Sequence, residues 1–112
     1  METIEDGRLL RIFVGEDDQH DGVPLFEAIM QLLRREGLAG TTVLRGIAGF
    51  GRSSVVHTSH LLRMSEDLPI VIECVDTAER VEAVLPALDA LIDEGLITLE
   101  RVDVRIYRGR EQ

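Results

Sequence analysis

Residues 69–75, Pro-Ile-Val-Ile-Glu-Cys-Val, form a short and almost wholly apolar run in a chain of 112 residues. Such a run predicts a strand that lies in the centre of a sheet. Asp76 follows it, and Glu79 three residues later predicts a capping box at the start of a helix. We expect Gly95 to end this helix and Pro86 to kink it or to separate its first turns. The apolar residues with helical spacing are Val81, Val84, Leu85, Leu88, Leu91 and Ile92.

The last predicted strand covers Ile97 to Tyr107. Its apolar residues change phase, since Ile97 and Leu99 are odd-numbered whereas Val102, Val104 and Ile106 are even-numbered. This slip predicts a bulge or a break near Glu100 and Arg101.

The first half of the chain has the same order of elements. Residues Arg8 to Val14 alternate as in a strand. After a polar loop, Pro24 suits the first turn of a helix, which Gly37 is expected to stop. Thr41 to Ala48 is predicted as the second strand. The helix is predicted from the spacing of Leu25, Phe26, Ile29, Met30, Leu32 and Leu33, followed by Arg34 and Arg35.

This order predicts an α+β fold with the ferredoxin-like βαββαβ arrangement, a four-stranded antiparallel sheet with two helices on one face. We expect residues 1–112 to form a single domain. Two helices cover only one face of the sheet, yet Leu9 and Phe13 are apolar as well as Leu10 and Ile12. Self-association through the open face is therefore expected, with ligand sites in clefts between subunits.

Composition excludes several functions. The formal net charge is −9, which argues against nucleic acid as a partner. All 12 basic residues are arginine, so Schiff-base chemistry and a Walker-type phosphate loop are excluded. No apolar stretch approaches the roughly 20 residues of a membrane span, so no membrane insertion is expected. An acidic N-terminus and a single cysteine, Cys74, predict a cytoplasmic protein with a buried, inert thiol.

Several motifs carry a resemblance to a known family. They are the glycine-rich segment from Arg45 to Arg52, His57 and His60, Leu62 to Ser65, and Asp67 to Ile72. Together they resemble the PII-like proteins, a family of unknown function that is often encoded beside fluoride-channel proteins. Gly49-Phe50-Gly51-Arg52 is also similar to the step that opens the mobile T-loop of the classical PII nitrogen regulators. Val104-Arg105-Ile106 is similar to the end of their last strand.

The resemblance implies a homotrimer whose sheets face inward and whose clefts bind adenine nucleotides, with Arg52 and Arg105 at positions where arginines contact phosphate. It also implies a mobile T-loop-like segment, residues 52–67, that docks on a partner protein. The chain departs from the classical pattern at Glu94 to Ile97, where the glycine-aspartate-glycine-lysine segment is missing, and at Tyr107, which replaces a second arginine. These departures favour a monophosphate, a diphosphate or another anion over a triphosphate.

The candidate ligand-binding residues are Gly46, Gly49, Phe50, Gly51, Arg52 and Arg105. The three glycines permit backbone N–H groups to approach an anion, but they would serve a sharp turn equally well. His57 and His60, three residues apart, are candidates for a metal site but supply only half of one. An acidic cluster lies beside His20 and consists of Glu16, Asp17, Asp18 and Asp21. We expect these carboxylates to stabilise the helix N-terminus and to increase solubility rather than to bind a cation.

No nucleophile, base and orienting group occur together, so no catalytic residue is assigned and an enzyme is not expected. The sequence instead favours a regulatory or sensor protein that binds a small anion, with an adenine nucleotide as the candidate ligand and no other cofactor. Two alternatives stay open. One is a metal-binding or enzymatic protein that uses His57 and His60. The other is a ligand-free interaction subunit of a membrane transporter or channel.

Overall fold

Two helices and a four-stranded antiparallel sheet make up most of the structure, a computed structural model that describes residues 1–50 and 67–109. The elements are β1 Glu2–Gly15, β2 Gln19–His20, β3 Val23–Pro24, α1 Leu25–Arg35, β4 Thr41–Arg45, β5 Pro69–Thr77, α2 Ala78–Leu91 and β6 Leu96–Ile106. The short strands β2 and β3 pair with each other in the loop before α1. No helix in these two ranges is long and apolar enough to cross a membrane.

The sheet has the strand order β4-β5-β1-β6. Strand β5, which contains the apolar run 69–75, pairs with β1 from Gly7 opposite Thr77 to Gly15 opposite Pro69. Strands β4 and β6 lie outside this central pair. The predicted ferredoxin-like α+β fold is therefore confirmed, and so is the central position of the third predicted strand.

One hydrophobic core lies between the sheet and both helices. Alternate residues of the central strands face it, and a fully buried aliphatic side chain contributes roughly 1.5–3 kcal/mol to folding. The largest fully buried side chains are Leu10, Ile12, Ile29, Leu33, Ile72, Val81, Val84 and Leu88. Cys74 is buried with them, as predicted.

The other side of the sheet, called the open face below, is covered by no helix or strand of the described residues. It includes Leu9, Arg11, Phe13, Leu44, Val71, Glu73, Val75, Leu96 and Glu100, which follow from the strand alternation and the register of pairing. Leu44 is 48% exposed and Leu96 is 55% exposed. A sheet with apolar side chains on both faces and helices on one is thus present, as expected.

The start of α2 differs from the prediction. Thr77, not Asp76, is the N-cap residue, and its Oγ1 accepts a hydrogen bond from the backbone N–H of Arg80 at 3.2 Å. The side chain of Asp76 turns into the protein instead and is 5% exposed. The predicted cap at Asp76 is wrong because this carboxylate bonds to the neighbouring loop.

The middle and end of α2 also differ. The helix is continuous from Ala78 to Leu91, so Pro86 does not separate its first turns. The helix ends before Gly95, with Ile92 as its C-cap residue. Gly95 has a φ of +148° in the turn that leads into β6, where an added Cβ would lie 2.5 Å from the carbonyl oxygen of Phe13. It is needed there for the close approach of two backbones rather than to close the helix.

The bulge predicted near Glu100 and Arg101 is wrong, because β6 is unbroken and the irregularity lies in β1. The register shifts between Ile4 and Gly7, so that two residues of β1 oppose one residue of β6. An added Cβ at Gly7 would lie 2.9 Å from Cγ2 of Val104. The apolar phase of β6 changes because Ile97 and Leu99 pair with core residues of β1, whereas the even-numbered residues lie on the opposite face.

Predicted strand limits change as well, most of all in the first two predicted strands. Strand β1 begins at Glu2 rather than at Arg8, and the second predicted strand ends at Arg45 rather than at Ala48. Beyond Arg45, the backbone N–H of Gly46 still donates to the carbonyl oxygen of Pro69 at 2.8 Å. The extended β1 and β6 give the chain a longest dimension of 50 Å.

Candidate functional site

A groove of about 520 Å³ lies where β1 begins and β6 ends. Its apolar surface combines side chains from three strands of the sheet, namely Ile4, Leu9, Val75, Val104 and Ile106. The β1 bulge contributes to this shape, since it places Ile4 opposite Val104. An apolar surface with a few charged groups at its margin is the usual composition of a small-molecule site.

The loop between α1 and β4 forms one wall of this groove through Ala39 and Gly40. Two side chains hold the loop. Oδ2 of Asp76 accepts a hydrogen bond from the backbone N–H of Ala39 at 2.9 Å. Nη1 of Arg80 donates to the carbonyl oxygen of Gly37 at 3.0 Å. Two residues at the junction of β5 and α2 therefore help to hold this wall in place.

The charged residues of the groove are Glu2, Glu73, Asp76, Arg80 and Arg108. Arg108 forms an ion pair with Glu2 at 3.3 Å. Glu73 forms one with Arg11 at 2.6 Å on the open face. Both oxygens of Asp76 accept backbone N–H groups, from Ala39 and from Thr77. Each of the three carboxylates thus already has a partner.

Cys74 also borders the groove but is 2% exposed. Burial raises the pKa of its thiol above the ordinary value, so the protonated form predominates at neutral pH. A protonated, buried thiol is a poor nucleophile. This geometry agrees with the unreactive cysteine expected from the sequence.

The glycine-rich segment lies at the opposite end of the sheet. Gly46 and Gly49 both pass close to Pro69, since an added Cβ would lie 2.7 Å and 3.0 Å from its Cγ, respectively. The glycines therefore have a steric role in this turn. Ile47 and Phe50 are 83% and 73% exposed. The segment that leads into residues 51–66 thus presents two apolar side chains to the outside.

Arg45 fixes the strand end just before this segment. Its Nε lies 2.7 Å from Oε2 of Glu16, and its Nη2 lies 3.0 Å from Oε1 of the same carboxylate. Such a bidentate pair defines orientation as well as distance. It joins the end of β4 to the loop that follows β1.

The acidic loop before α1 uses its carboxylates within the fold. Oδ2 of Asp18 accepts the backbone N–H of Gly15 at 2.8 Å, and Oδ1 of Asp67 accepts that of Asp17 at 2.9 Å. His20 lies 3.4 Å from Asp21. Within residues 1–50 and 67–109, no group of three or more His, Cys, Asp or Glu side chains is arranged to hold a metal ion.

Arg105 lies far from the glycine-rich segment. It pairs with Thr3 near the start of β1, whereas Gly46 lies beside Pro69 and the end of β1. The rise of a strand makes this separation about 40 Å along β1. Alternation places Arg105 on the face of β6 opposite Val104 and Ile106, where its guanidinium lies 5.9 Å from the ring centre of Tyr107. Among the predicted ligand residues that the structure describes, one chain therefore does not bring Arg105 together with Gly46, Gly49 and Phe50.

Several predicted residues lie outside the described ranges. They are Gly51, Arg52, His57 and His60, together with most of the predicted T-loop-like segment 52–67. The groove, in contrast, was not predicted from the sequence. Arg80 offered one signal, because a basic residue in the first turn of a helix opposes the helix dipole and therefore indicates another role.

Comparison with known proteins places this geometry in a family. Residues 7–104 match DUF190, which is described as an uncharacterized ACR. The chain belongs to the DUF190 family. It is 39% identical over 103 residues to a UPF0166 protein of Methanocaldococcus jannaschii, with 91% of this chain and 93% of that protein covered. A UPF0166 protein of Aquifex aeolicus is 36% identical over 97 residues, covering 87% of this chain and 91% of the relative.

Solved structures resemble this DUF190 chain in fold. CPII from Thiomonas intermedia, bound to ADP and bicarbonate, has a TM-score of 0.60 at 20% identity, covering 92% of this chain and 91% of CPII. A PII-like signaling protein from Thermus thermophilus has a TM-score of 0.57 at 18% identity, with 93% and 91% covered. The GlnK protein of B. subtilis scores 0.54 at 16% identity, with 87% and 85% covered. The predicted resemblance to PII-like proteins is confirmed.

Proposed function

We propose that this DUF190 protein is a PII-like regulatory protein rather than an enzyme. It acts as a homotrimer that binds an adenine nucleotide with one or two phosphates, AMP or ADP, in clefts between subunits. The observation that carries the proposal is the separation of the groove and the glycine-rich segment at opposite ends of one sheet. A head-to-tail arrangement of copies brings the groove of one subunit to the glycine-rich segment of the next.

The open face supports self-association. Its apolar side chains are exposed or half-buried in a single chain, and contiguous apolar surface of this kind marks an interaction site. A contact between two different surfaces, one at each end of the sheet, generates a closed ring when the rotation between copies closes. Three copies would then share three equivalent clefts.

The groove supports a nucleotide as the ligand. Leu9, Val75 and Ile106 offer an apolar surface to a base, while Arg80 and Arg108 offer guanidinium groups to phosphate. Proteins with the same fold are known with such ligands. CPII from Thiomonas intermedia has been solved with ADP and bicarbonate, and also with ADP, AMP and acetate.

In this proposal the cleft is completed by Gly46, Gly49, Phe50, Gly51 and Arg52 of the neighbouring subunit. Arg105 lies on the face of β6 opposite the groove of its own chain, so in this proposal it supplies positive charge to a cleft through the assembly of neighbouring copies. Binding orders residues 52–67, and the ordered segment changes its fit to a partner protein. The exposed side chains of Ile47 and Phe50 support a docking role for the start of this segment.

The proposal also includes the cellular location of the protein and the kind of partner that it contacts. The acidic chain has no cationic surplus for nucleic acid. A cytoplasmic protein of this kind signals to another protein, for which a membrane transporter or channel is the candidate. The alternative of an interaction subunit without any small ligand predicts the same assembly but no nucleotide binding, so one pair of measurements separates the two.

The test combines native mass spectrometry with isothermal titration calorimetry. We expect a trimer mass for the purified protein and saturable binding of AMP or ADP at one site per chain. Arg52→Ala and Arg105→Ala should weaken binding, whereas Arg35→Ala on α1, which removes the same charge, should not. A monomer, or a trimer that binds no adenine nucleotide, contradicts the proposed sensor; the latter result would favour the ligand-free interaction subunit.

A further inference from the structure

Arg80 differs from the other charged residues of the groove in its bonding. Its guanidinium donates to a neutral acceptor, the carbonyl oxygen of Gly37, at 3.0 Å. Within the described residues it forms no ion pair, and the side chain is exposed. Arg108, the other arginine of the groove, is already paired with Glu2. Arg80 therefore brings an uncompensated positive charge to the groove.

The carboxylates of the groove do not compensate this charge. Glu73 is engaged by Arg11 across the open face. Asp76 accepts two backbone N–H groups and is buried away from solvent. Because these groups already have partners, an incoming anion meets Arg80 without first breaking an ion pair. That property makes Arg80 a stronger candidate for an anion contact than Arg108.

Arg80 occupies a position in α2 that is unfavourable with respect to the helix dipole. It lies in the first turn, after the N-cap residue Thr77, where the positive end of the helix dipole disfavours cations. Glu79, the acidic residue of the same turn, offsets part of this effect, and an anion beside the guanidinium offsets it further. The hydrogen bond from Arg80 to Gly37 is also weaker than one to a phosphate would be, because hydrogen bonds between two charged groups are stronger than those between a charged group and a neutral carbonyl.

We propose that Arg80 recognises the phosphate of the ligand in the groove. To reach the phosphate, its guanidinium gives up the hydrogen bond to the carbonyl oxygen of Gly37. The proposal rests on the function proposed above, since it assigns a phosphate contact within the same site. It also assigns a consequence. Arg80 and Asp76 both hold the loop between α1 and β4 through side-chain hydrogen bonds, so a bound phosphate releases one of these side-chain contacts. Ligand binding is thereby transmitted to the wall of the groove and to the loop that precedes β4.

Titration calorimetry with adenosine, AMP and ADP tests the phosphate contact. Arg80→Gln removes the charge but keeps a donor for Gly37, and Arg80→Lys keeps the charge. We expect Arg80→Gln to weaken AMP and ADP binding about 10-fold to 100-fold, the size of one charged hydrogen bond, and to leave adenosine within about twofold. Arg80→Lys should recover part of the loss. Arg35→Gln, a matched loss of charge on α1, should bind all three ligands as the wild type does.

Hydrogen exchange measured by NMR tests the release of the loop. ADP should change the exchange rates of amides 37–40 in the wild type, whereas adenosine should not. Arg80→Gln should show no such change at ADP concentrations that saturate it. An identical ADP effect in both proteins would overturn the assignment of the release to Arg80.

The outcomes separate this inference from the proposed function. If the wild type binds none of the three ligands, the proposed function fails and the inference fails with it. If the wild type binds AMP or ADP and Arg80→Gln binds them equally well, only the inference fails. If Arg80→Gln weakens adenosine as much as ADP, Arg80 merely supports the groove wall, which also overturns the phosphate contact.

Discussion

Nε of Arg11 lies 2.6 Å from Oε2 of Glu73, joining β1 to β5 across the middle of the open face. Nη1 of the same arginine lies 3.2 Å from Oε1 of Glu100 on β6. The hydrogen bond to Glu73 raises the pKa of Arg11 above its ordinary value. Three charges thus form one network on a surface whose neighbouring side chains, Leu9 and Phe13, are apolar. Glu73 also lines the groove, as do Leu9 and Val75, so this network lies on the same face of the sheet as the groove.

Arg11→Met should weaken self-association. If a second copy covers the open face, the substitution leaves two carboxylates unpaired in a contact from which water is excluded. We expect the concentration for half-dissociation to rise at least about tenfold, the usual scale for losing one partner of a buried charge pair. Sedimentation velocity over a concentration series measures the change.

Two further variants sharpen this test. Arg34→Met removes an arginine from the last turn of α1 and should leave assembly unchanged. Replacing the whole network, as Arg11→Met with Glu73→Leu and Glu100→Leu, should restore assembly, because an apolar substitute leaves no charge unpaired. If Arg11→Met assembles as tightly as the wild type, this network does not lie in the contact between copies.

Gly95→Ala should destabilise the fold by roughly 2–6 kcal/mol. The φ of +148° disfavours any L side chain, and the added Cβ would lie 2.5 Å from the carbonyl oxygen of Phe13. Strain at such a φ costs about 1–3 kcal/mol, and overpacking adds a similar amount. Urea denaturation followed by circular dichroism gives the free energy of unfolding.

Gly40→Ala is the matched control for this substitution. An added Cβ at Gly40 meets no atom within 4 Å. The φ of Gly40 is also not positive. The free energy of unfolding should therefore stay the same or rise by up to about 1 kcal/mol, since alanine restricts the unfolded chain. Equal losses in the two variants would show that the backbone contact of Gly95 is unimportant for stability.

The sequence predicts the fold better than it predicts the groove. Helices, strands and the open face follow from apolar periodicity, because burial on one or both faces dictates which positions are apolar. The cap at Thr77 was missed because Asp76 has equal capping chemistry, and only the nearby backbone N–H of Ala39 draws its carboxylate away. The prediction placed the bulge in β6 rather than in β1. A change of phase in the apolar residues of β6 has two explanations that the sequence does not distinguish: a bulge in the strand, or apolar residues that move from one face of the sheet to the other.

The groove is not predicted from the sequence for a different reason. Ile4, Arg80 and Val104 are far apart in the chain, and no local spacing records that the sheet brings them together. Arg105 shows the converse case. It is a predicted ligand residue by resemblance, yet in one chain it lies on the face of β6 opposite the groove. The positions that need a neighbouring copy remain predictions.

Asp76→Asn should destabilise the protein by roughly 1–3 kcal/mol. Each carboxylate oxygen accepts one backbone N–H, from Ala39 at 2.9 Å and from Thr77 at 2.7 Å. Asparagine keeps only one acceptor oxygen and turns an N–H₂ group toward the other donor, which leaves a buried donor unsatisfied. Urea denaturation measures the loss of stability, and the amide of Ala39 or Thr77 should exchange its hydrogen faster than in the wild type.

Asp89→Asn, on the exposed side of α2, is the control for this substitution. An equal loss of stability in that variant would refute a specific role for Asp76.

The free energy of unfolding should fall at alkaline pH because of Cys74. Burial raises the pKa of its thiol above the ordinary value of 9.0 in the folded protein, while the thiol of the unfolded chain still ionises near that value. Below that value both states keep the proton, and the stability is fully present; above it the unfolded state loses its proton first, so unfolding becomes easier. The loss is at most about 1.4 kcal/mol for each pH unit between the two pKa values.

Urea midpoints at about pH 7.5, 9 and 10, which span the ordinary pKa of a thiol, measure this loss, with Cys74→Ala as the variant that removes the contribution. A thiol reagent should also modify the wild type slowly at neutral pH and rapidly in urea, because only unfolding exposes the sulfur and lets it ionise at its ordinary pKa. An equal alkaline loss in Cys74→Ala, together with fast labelling of the folded protein, would contradict the buried, protonated state of this thiol.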